Sequence, residues 1–262
     1  MYFCTLPFKN RIMATKKPIS KTKPTSRNNK SNSGKSTWKS KLWRFTWKFA
    51  LWFNIISLFF VLLYKFVPVP FTPLMVIRYF ENSAAGKDIE TQHDWVPIEE
   101  ISKNLQKAVI ASEDGNFCKH SGFDFKAMQK AATGNFKGKK LKGGSTISQQ
   151  TAKNVFLWQG RSYFRKALEA YYTVLIELIW GKERIMEVYL NSIEMGDGVY
   201  GAQAACKHWY NKDCKSLTRM QAAGIAAILP NPRKFKPVNS SAYITKKQRR
   251  IAQYILLTKL NY

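Results

Sequence analysis

Apolar residues recur every three or four positions along most of residues 97–260, which is the spacing of one buried face of an α-helix. The stretch 97–112, for example, places Ile98, Ile101 and Leu105 on one face, after Pro97 in a first turn. No stretch of any length alternates apolar and polar residues as a half-exposed strand does. The pattern therefore predicts a mostly α domain. Its predicted helices cover residues 97–112, 124–136, 145–157, 163–180, 182–194, 201–210, 217–229 and 245–260.

Two features mark the start of the helix at 145–157. The preceding stretch KGKKLKGG, residues 137–144, has the glycines and lysines of a mobile loop. Ser145 or Thr146 then supplies the hydroxyl that caps a helix N-terminus. Further on, the small apolar residues AAGIAAIL predict a tightly packed central helix.

A different pattern occupies residues 49–64, FALWFNIISLFFVLLY, which is apolar on nearly every side and flanked by Lys48 and Lys65. A bilayer-spanning helix needs about 20 residues, and Lys side chains reach from its ends to the interface. We therefore predict one transmembrane helix over residues 49–67. A buried core helix is the alternative. A cleaved signal peptide is disfavoured, because FVPVPFTP follows instead of a small-residue cleavage site.

Charge orients this helix. The chain has 43 Lys and Arg against 16 Asp and Glu, a formal net charge of +27, and residues 1–48 hold 13 of the basic residues and no acidic one. Such a segment cannot bury a core, so we predict a disordered cytoplasmic arm beside the anionic inner leaflet. A linker over 68–90 and one catalytic-size domain over 91–262 then lie outside. Because an exported domain meets little nucleic acid, the charge favours lipid or phosphate partners.

The sequence leaves two points of processing open. Translation starts at Met1 or at Met13. Cys206 and Cys214 are near enough in sequence to close a short loop in an oxidising compartment, but Cys118 makes the number of exported cysteines odd, so their pairing stays undecided.

The first cluster of residues suited to acid–base chemistry lies in ASEDGNFCKHSGFD, residues 111–124. Glu113 and Asp114 stand side by side at the predicted end of a helix, and His120 and Asp124 follow closely. Adjacent acids on a solvated turn are the simplest interpretation. In a chain so short of acid, the cluster also indicates a functional site.

Three further clusters bear on that choice. GGSTISQQTAKN, residues 143–154, joins hydroxyls and amides at a helix start to Lys153, which suits an anion. GRSYFRKALE, residues 160–169, spaces its cations three and four residues before Glu169, an arrangement that by itself predicts a surface ion pair of little consequence. YLNSIEMGDGVYGAQAA, residues 189–205, runs from a helix end into a glycine-rich turn. Walker, HxxxH and CxxC spacings are missing, so neither a nucleotide loop nor a metal site is indicated.

In order and spacing, these clusters resemble the peptidoglycan glycosyltransferases that polymerise lipid II, specifically the monofunctional members with a single span. Residues 113–124 fill every position of the family's EDxxFxxHxGxD motif. Residues 143–154 match GGSTITQQxxKN, with Ser148 in place of a threonine. The motifs RKxxE, YLN with its following YG turn, and LPNP are matched at residues 165–169, 189–201 and 229–232. The resemblance covers roughly residues 90–258.

The resemblance implies a lysozyme-like fold with a small membrane-facing jaw. It also implies a reaction in which the 4-hydroxyl of an acceptor lipid II attacks the anomeric carbon of a lipid-linked chain, inverting it and expelling undecaprenyl diphosphate. Glu113 matches the general base, and Glu169 matches a second essential carboxylate. Glu169 is expected either to orient nearby cations or to hold a divalent cation, Mg²⁺ or Mn²⁺, on the diphosphate; no other cofactor is expected. His120 and Asp124 are expected to fix the loop by hydrogen bonds.

The substrate-binding residues implied by the match include Lys153 and Arg161, which correspond to the residues that grip the diphosphate. Asp114 is expected to support the site. The full predicted set is Asp114, Ser145, Thr146, Gln149, Gln150, Lys153, Asn154, Arg161, Arg165, Lys166 and Asn191.

Expected partners are lipid II, the lipid-linked glycan chain, the membrane, and other cell-wall synthesis and division proteins. The expected location is the inner membrane, with the catalytic domain periplasmic. A lytic enzyme of the same fold is the main rival, but it would not need Lys153 and Arg161. A bifunctional polymerase would need a transpeptidase half after residue 258, and a scaffold would have no use for both Glu113 and Glu169.

Overall fold

The computed structural model describes residues 38–86, 90–136, 144–160 and 162–262. Residues 1–37 of the predicted arm lie outside this set, as do Arg161 and all of the predicted mobile loop except Gly144.

Helices dominate the described residues, which confirms the mostly α prediction. They are α1 Trp38–Phe66, α2 Pro73–Ala84, α3 Lys103–Glu113, α4 Phe125–Phe136, α5 Ile147–Phe156, α6 Tyr163–Ile179, α7 Lys182–Ser192, α8 Ala202–Tyr210, α9 Arg219–Ile228 and α10 Ala242–Leu257. Short 3-10 turns occur at Ile98–Glu100, Phe117–Lys119 and Cys214–Ser216.

A small sheet, which the sequence pattern did not predict, joins three short strands: β1 Gln92–His93, β2 Glu194–Gly196 and β3 Val199–Tyr200. β3 lies in the middle, parallel to β1 and antiparallel to β2. Strands of two or three residues are too short to show an alternating pattern.

The predicted helix at 97–112 is in fact divided. After the turn Ile98–Glu100, Ile101 is extended, and the hydroxyl of Ser102 accepts a hydrogen bond from the amide of Asn104 at 3.2 Å. This cap starts α3. The apolar spacing continues across the break because the turn and the helix bury the same side, so periodicity alone could not reveal it.

Helix α1 starts at Trp38, before the predicted start at residue 49, so residues 38–48 of the predicted arm are helical. Its 29 residues correspond to about 43 Å at 1.5 Å per residue. Among the described residues it is the one helix long and apolar enough to cross a membrane. The predicted linker also holds structure, since Thr72 caps α2 through a hydrogen bond from the amide of Met75.

The chain divides into compact units at Phe49 and Ala50. Within the second unit, the C-terminal part of α1 packs on α6 and α7. The indole of Trp180, which is fully buried, donates to the carbonyl of Val61 at 2.7 Å. The guanidinium of Arg184 donates to the carbonyls of Tyr64 at 2.8 Å and Val67 at 2.7 Å. Arg184 thus satisfies carbonyl groups that a helix end leaves without partners.

Helix α9 lies at the centre of the domain, as its small residues predicted. Residues 222–228 are all buried, and α9 packs against α3 and α10. This packing places the end of α3, which carries the acidic pair, beside the C-terminal helix. Cys206 and Cys214 are also buried, as free thiols whose side chains are hydrogen-bonded to each other.

Candidate active site

Glu113 is the last residue of α3, and its carboxylate faces α5. The side-chain amide of Gln150 donates to Glu113 Oε2 at 3.2 Å, and the hydroxyl of Tyr189 donates to Gln150 Oε1 at 3.3 Å. Burial raises the pKa of Glu113, and the Gln150 hydrogen bond and the Lys247 ammonium oppose that rise. A carboxyl with a raised pKa is a stronger base once it is ionised, which is what general-base chemistry requires.

Asp114 holds the start of α5. Its Oδ2 accepts a hydrogen bond from the backbone amide of Ile147 at 3.0 Å, and His120 Nε2 lies 3.0 Å from both carboxylate oxygens. The sequence predicted that this helix start would bind a substrate anion. The structure shows that one amide of this helix start, that of Ile147, is bonded to the protein's own carboxylate at the positive end of the helix dipole.

The loop after the acidic pair is fixed by side-chain hydrogen bonds, as predicted for His120 and Asp124. Asp124 accepts from the side-chain amide of Asn116 at 2.8 Å and from the backbone amide of Ala127 at 2.9 Å. These bonds and the His120 contact tie both ends of the loop to its middle. The position of Glu113 is therefore set by neighbours that need not touch substrate.

A cationic group, formed by Lys153 of α5 with Arg165 and Lys166 of α6, surrounds Glu169. Glu169 is buried, with its side chain 4% exposed, and it forms ion pairs with Lys166 and with Arg165 Nη1, the latter at 3.3 Å. The interpretation of these residues as a surface ion pair is therefore wrong. Burial lowers the pKa of Lys153, while the Glu169 carboxylate opposes that effect. The predicted contact of Arg161 lies outside the described residues.

Two predicted substrate-binding residues, Thr146 and Gln149, cap α5. The hydroxyl of Thr146 accepts from the amide of Gln149 at 3.2 Å, and Gln149 Oε1 accepts from the amide of Thr146 at 3.0 Å. Thr146 also donates to the carbonyl of Gly122 at 2.6 Å. Both side chains are buried, and their capping bonds fix the start of α5. Ser145, beside them, is half-buried.

Asn191 is another predicted substrate-binding residue whose side chain makes structural hydrogen bonds. It is fully buried, donates to the carbonyls of Val96 and Glu187 at 2.9 Å each, and accepts from the amide of Val96 at 3.0 Å. Gly201, with φ of +82°, approaches it so closely that a Cβ atom would lie 2.8 Å from the Asn191 carbonyl oxygen. The YLN and YG elements therefore pack directly against each other, and both N–H groups of the Asn191 side chain are engaged by backbone carbonyls.

Lys247 on α10 is a site residue that the sequence analysis missed. Its ammonium donates to the carbonyl of Ala227 at 3.0 Å and lies close enough to Glu113 to favour the ionised carboxylate. Burial lowers the pKa of Lys247, and Glu113 opposes that shift. Lys247 belongs to none of the clusters, so only the packing of α10 on α3 reveals it.

A cavity of about 260 Å³ opens beside Lys153. Its walls come from the cleft, from α2, from the strand β2 and from the LPNP segment. They consist of Leu74, Arg78, Gln150, Lys153, Asn154, Gln159, Tyr189, Ile193, Glu194, Leu229, Pro230 and Pro232.

The donor set at Glu169 does not fit a resident divalent cation. Both carboxylate oxygens already accept from cationic side chains. Among the described residues, no group of three His, Cys, Asp or Glu side chains comes together to hold a metal ion. A hard cation such as Mg²⁺ needs several oxygen ligands, and here one buried carboxylate is shared with two positive charges.

Comparison with known proteins identifies the family. Residues 81–256 match the family model described as Transglycosylase. A protein named "Biosynthetic peptidoglycan transglycosylase" from Caulobacter vibrioides is 54% identical over 193 residues, which cover 74% of this chain and 82% of the relative. Proteins of the same name from Bdellovibrio bacteriovorus and Bacteroides thetaiotaomicron are 52% and 50% identical over 217 residues each. Each of these alignments covers 83% of this chain, and they cover 86% and 88% of the relatives.

Proposed function

The chain belongs to the transglycosylase family, and on that premise we propose that its cleft polymerises lipid II into peptidoglycan strands, with Glu113 as base and Lys153 on the leaving diphosphate. One observation carries the proposal: Gln150, which donates to the Glu113 carboxylate, and Lys153, which belongs to the cationic group around Glu169, line the same cavity. A carboxylate and a cationic group are the pair of functions that sugar transfer from a diphosphate needs.

The step at Glu113 is a proton transfer coupled to bond formation. The 4-hydroxyl of the acceptor sugar gives its proton to the Glu113 carboxylate while its oxygen bonds to the anomeric carbon of the donor. The bond from that carbon to the diphosphate breaks on the opposite face, so the configuration inverts. A positioned base contributes about 10²–10⁴-fold to such a step.

The leaving group needs neutralisation of its negative charge. Undecaprenyl diphosphate is a weak base, so it gains more from fixed positive charges than from a proton. Lys153, Arg165 and Lys166 supply these charges from two helices, and we propose that Arg161 joins them. Glu169 orients Arg165 and Lys166. No step is assigned to a divalent cation, because the Glu169 carboxylate is already engaged by two cations.

Lys247 is expected to keep the base ionised at lower pH. Glu113 works only as the carboxylate, so the rate of polymerisation should fall as the pH drops through its pKa. Lys247→Met removes a positive charge that lowers this pKa. The acidic limb of the pH–rate profile should therefore move to higher pH, as measured by initial rates of lipid II consumption.

Lys247→Arg is the matched control, because it keeps the charge and should leave the acidic limb near its wild-type position. If the acidic limb of the pH–rate profile stays in place in Lys247→Met, or moves to lower pH, Lys247 does not lower the pKa of Glu113.

We also propose a membrane-facing jaw, supported by three exposed aromatic side chains. Phe125 is 73% exposed, Tyr163 97% and Phe164 68%. Phe125 begins α4, and Tyr163 and Phe164 begin α6. Aromatic side chains are favoured at the membrane interface, so we propose that these helix starts lie on the outer face of the bilayer.

The orientation is proposed from the charge of the N-terminal segment, and a thiol probe that cannot cross the membrane tests it. In a cysteine-free background, Lys215→Cys, at an exposed position of the catalytic domain, should be labelled in intact cells. Ser20→Cys, downstream of both candidate start positions, should be labelled only after the membrane is permeabilised. Labelling of Ser20→Cys in intact cells would reverse the proposed topology.

The activity itself is tested by incubating the purified full-length protein with lipid II. We expect a polymer that a muramidase digests. If the protein instead shortens finished glycan strands and makes no polymer, the lytic alternative is correct. Partner proteins of cell-wall synthesis and division remain a proposal that follows from this activity.

A further inference from the structure

Several polar atoms around the cavity beside Lys153 have no hydrogen-bond partner. They include Glu194 Oε1, Gln159 Nε2 and Arg78 Nε, and each is buried. All three residues line the cavity. A buried polar atom without a partner costs free energy, so three of them on one cavity indicate that a polar ligand completes their bonding.

Glu194 is the central residue of this group. Its side chain is 10% exposed, and its Oε2 lies 3.9 Å from Arg78 Nε, too far for a hydrogen bond. Burial raises the pKa of Glu194, and Arg78 opposes the rise. The hydroxyl of Tyr200 is also buried without a partner, and burial together with the Glu194 carboxylate raises its pKa.

The position of Glu194 is set by two elements outside the acidic cluster at residues 113–124. It starts β2, immediately after α7. Arg78 comes from α2, where its Nη1 is paired with Glu81 at 2.5 Å. The cavity therefore joins the catalytic cleft to the helix that follows the membrane span.

The chemistry of the cavity wall matches a secondary amide. Glu194 Oε1 can accept from an amide N–H, and Gln159 Nε2 can donate to the amide carbonyl. Leu74, Ile193 and Leu229 offer apolar surface for a methyl group. An acetamido group carries these three features on one small unit.

The covalent structure of the donor indicates which acetamido group would lie nearest to this cavity. In the lipid-linked donor, the anomeric carbon C1 bears the diphosphate, and the neighbouring carbon C2 bears an acetamido group. Because Lys153 belongs to the same cavity wall, a diphosphate held there brings the C2 substituent of the same sugar to this cavity.

We propose that Glu194 determines specificity by accepting a hydrogen bond from the 2-acetamido N–H of the donor sugar that carries the diphosphate, with Gln159 donating to its carbonyl. This inference rests on the proposed function. It adds a recognition residue to the cleft and assigns it one group on the substrate.

The test uses donors blocked at the terminal 4-hydroxyl, so that they can donate but not accept. The first blocked lipid II keeps the 2-acetamido group on the sugar that carries the diphosphate. The second has a 2-hydroxyl in place of that acetamido group. A third keeps the acetamido group but lacks the peptide stem. Each is labelled and coupled to unmodified lipid II, and the rate of labelled product is measured for wild type and variants.

A hydrogen bond to a charged group changes a rate by roughly tenfold to a hundredfold. We expect wild type to prefer the acetamido donor over the hydroxyl donor by about that factor. Glu194→Ala should lose the same factor on the acetamido donor, with or without its stem, and should use the two C2 substituents equally well. Gln159→Leu should lose a smaller part of the preference, roughly twofold to tenfold for a neutral hydrogen bond.

Glu81→Ala is the matched control, because it removes the other carboxylate partner of Arg78 and Glu81 does not itself line the cavity. It should keep the wild-type preference. If Glu194→Ala slows both donors equally, Glu194 has only a structural role and the proposal fails. A preference that depends on the stem would assign the cavity to a peptide amide and overturn the sugar assignment.

The controls separate this inference from the proposed function. Wild type that couples lipid II without any preference at C2 refutes the recognition role alone, whereas wild type that forms no product refutes the function. If Glu194→Ala does not fold by circular dichroism, Gln159→Leu decides the question, because an unchanged preference in that variant contradicts the proposal.

Discussion

Glu113→Gln should lower the rate of lipid II polymerisation by about 10²–10⁴-fold, the usual contribution of a general base, while lipid II still binds. The amide has the shape of the carboxyl group, and its oxygen can still accept from Gln150. It cannot accept the proton of the attacking hydroxyl. The measurement pairs single-turnover rates with a direct binding assay on the full-length protein.

Glu183→Gln is the matched control for this change, because the same substitution falls on an exposed residue of α7. It should polymerise at the wild-type rate. If Glu113→Gln keeps more than about a tenth of the wild-type rate, another group is the base, since the loss would be below the range expected for one.

Lys153→Ala and Arg161→Ala should each slow chain growth from lipid II by roughly tenfold to a hundredfold, because each removes one charge-assisted contact to the diphosphate. Glu169 keeps its pairs with Arg165 and Lys166 when Lys153 is lost, so the fold should survive. Circular dichroism checks that expectation, and lipid II consumption gives the rate.

The same variants distinguish a polymerase from a lytic enzyme. Finished glycan strands carry no diphosphate, so a hydrolase acting on them would be nearly indifferent to both substitutions. Lys215→Met, at an exposed lysine, controls for the loss of charge. If wild type cleaves strands and the Lys153 and Arg161 variants cleave them equally well, the assignment as a polymerase is wrong.

Local signals predicted much of the fold. Thr146 was one of two candidate caps, and the helix it caps begins at Ile147. Apolar spacing also predicted α4, α6 and α9 with only small errors at their ends. These features depend on neighbouring residues in the sequence, so a helical period and a cap residue are sufficient to locate them.

The partners of site residues could not be predicted in the same way. Spacing indicated that Asp114 and the α5 N-terminus were both suited to charge, but not that they bind each other across 33 residues. Asn191 has the residue type of a ligand contact, yet its hydrogen bonds all go to the backbone. Periodicity identifies which face of a helix is buried, whereas the contact made there depends on how distant elements pack.

The roles of Lys247 and Glu194 could not be predicted for the same reason. Neither occupies a position in the acidic or cationic clusters, and each approaches the cleft from an element whose own pattern indicates only a helix or a turn. Lys247 acts through the packing of α10, and Glu194 lies where β2 follows α7. Their relation to the cleft is a property of tertiary structure.

The attachment of α1 to the catalytic domain limits how far the enzyme can reach. A flexible tether of n residues spans about 5–6 Å times the square root of n. Here Trp180 and Arg184 hold the end of α1, the proposed membrane span, against the domain itself, and α2 begins at Pro73, soon after α1 ends at Phe66. The cleft should therefore stay at a fixed height near the lipid headgroups. Substrates whose diphosphate is anchored at that height remain within reach, while glycan deeper in the wall does not.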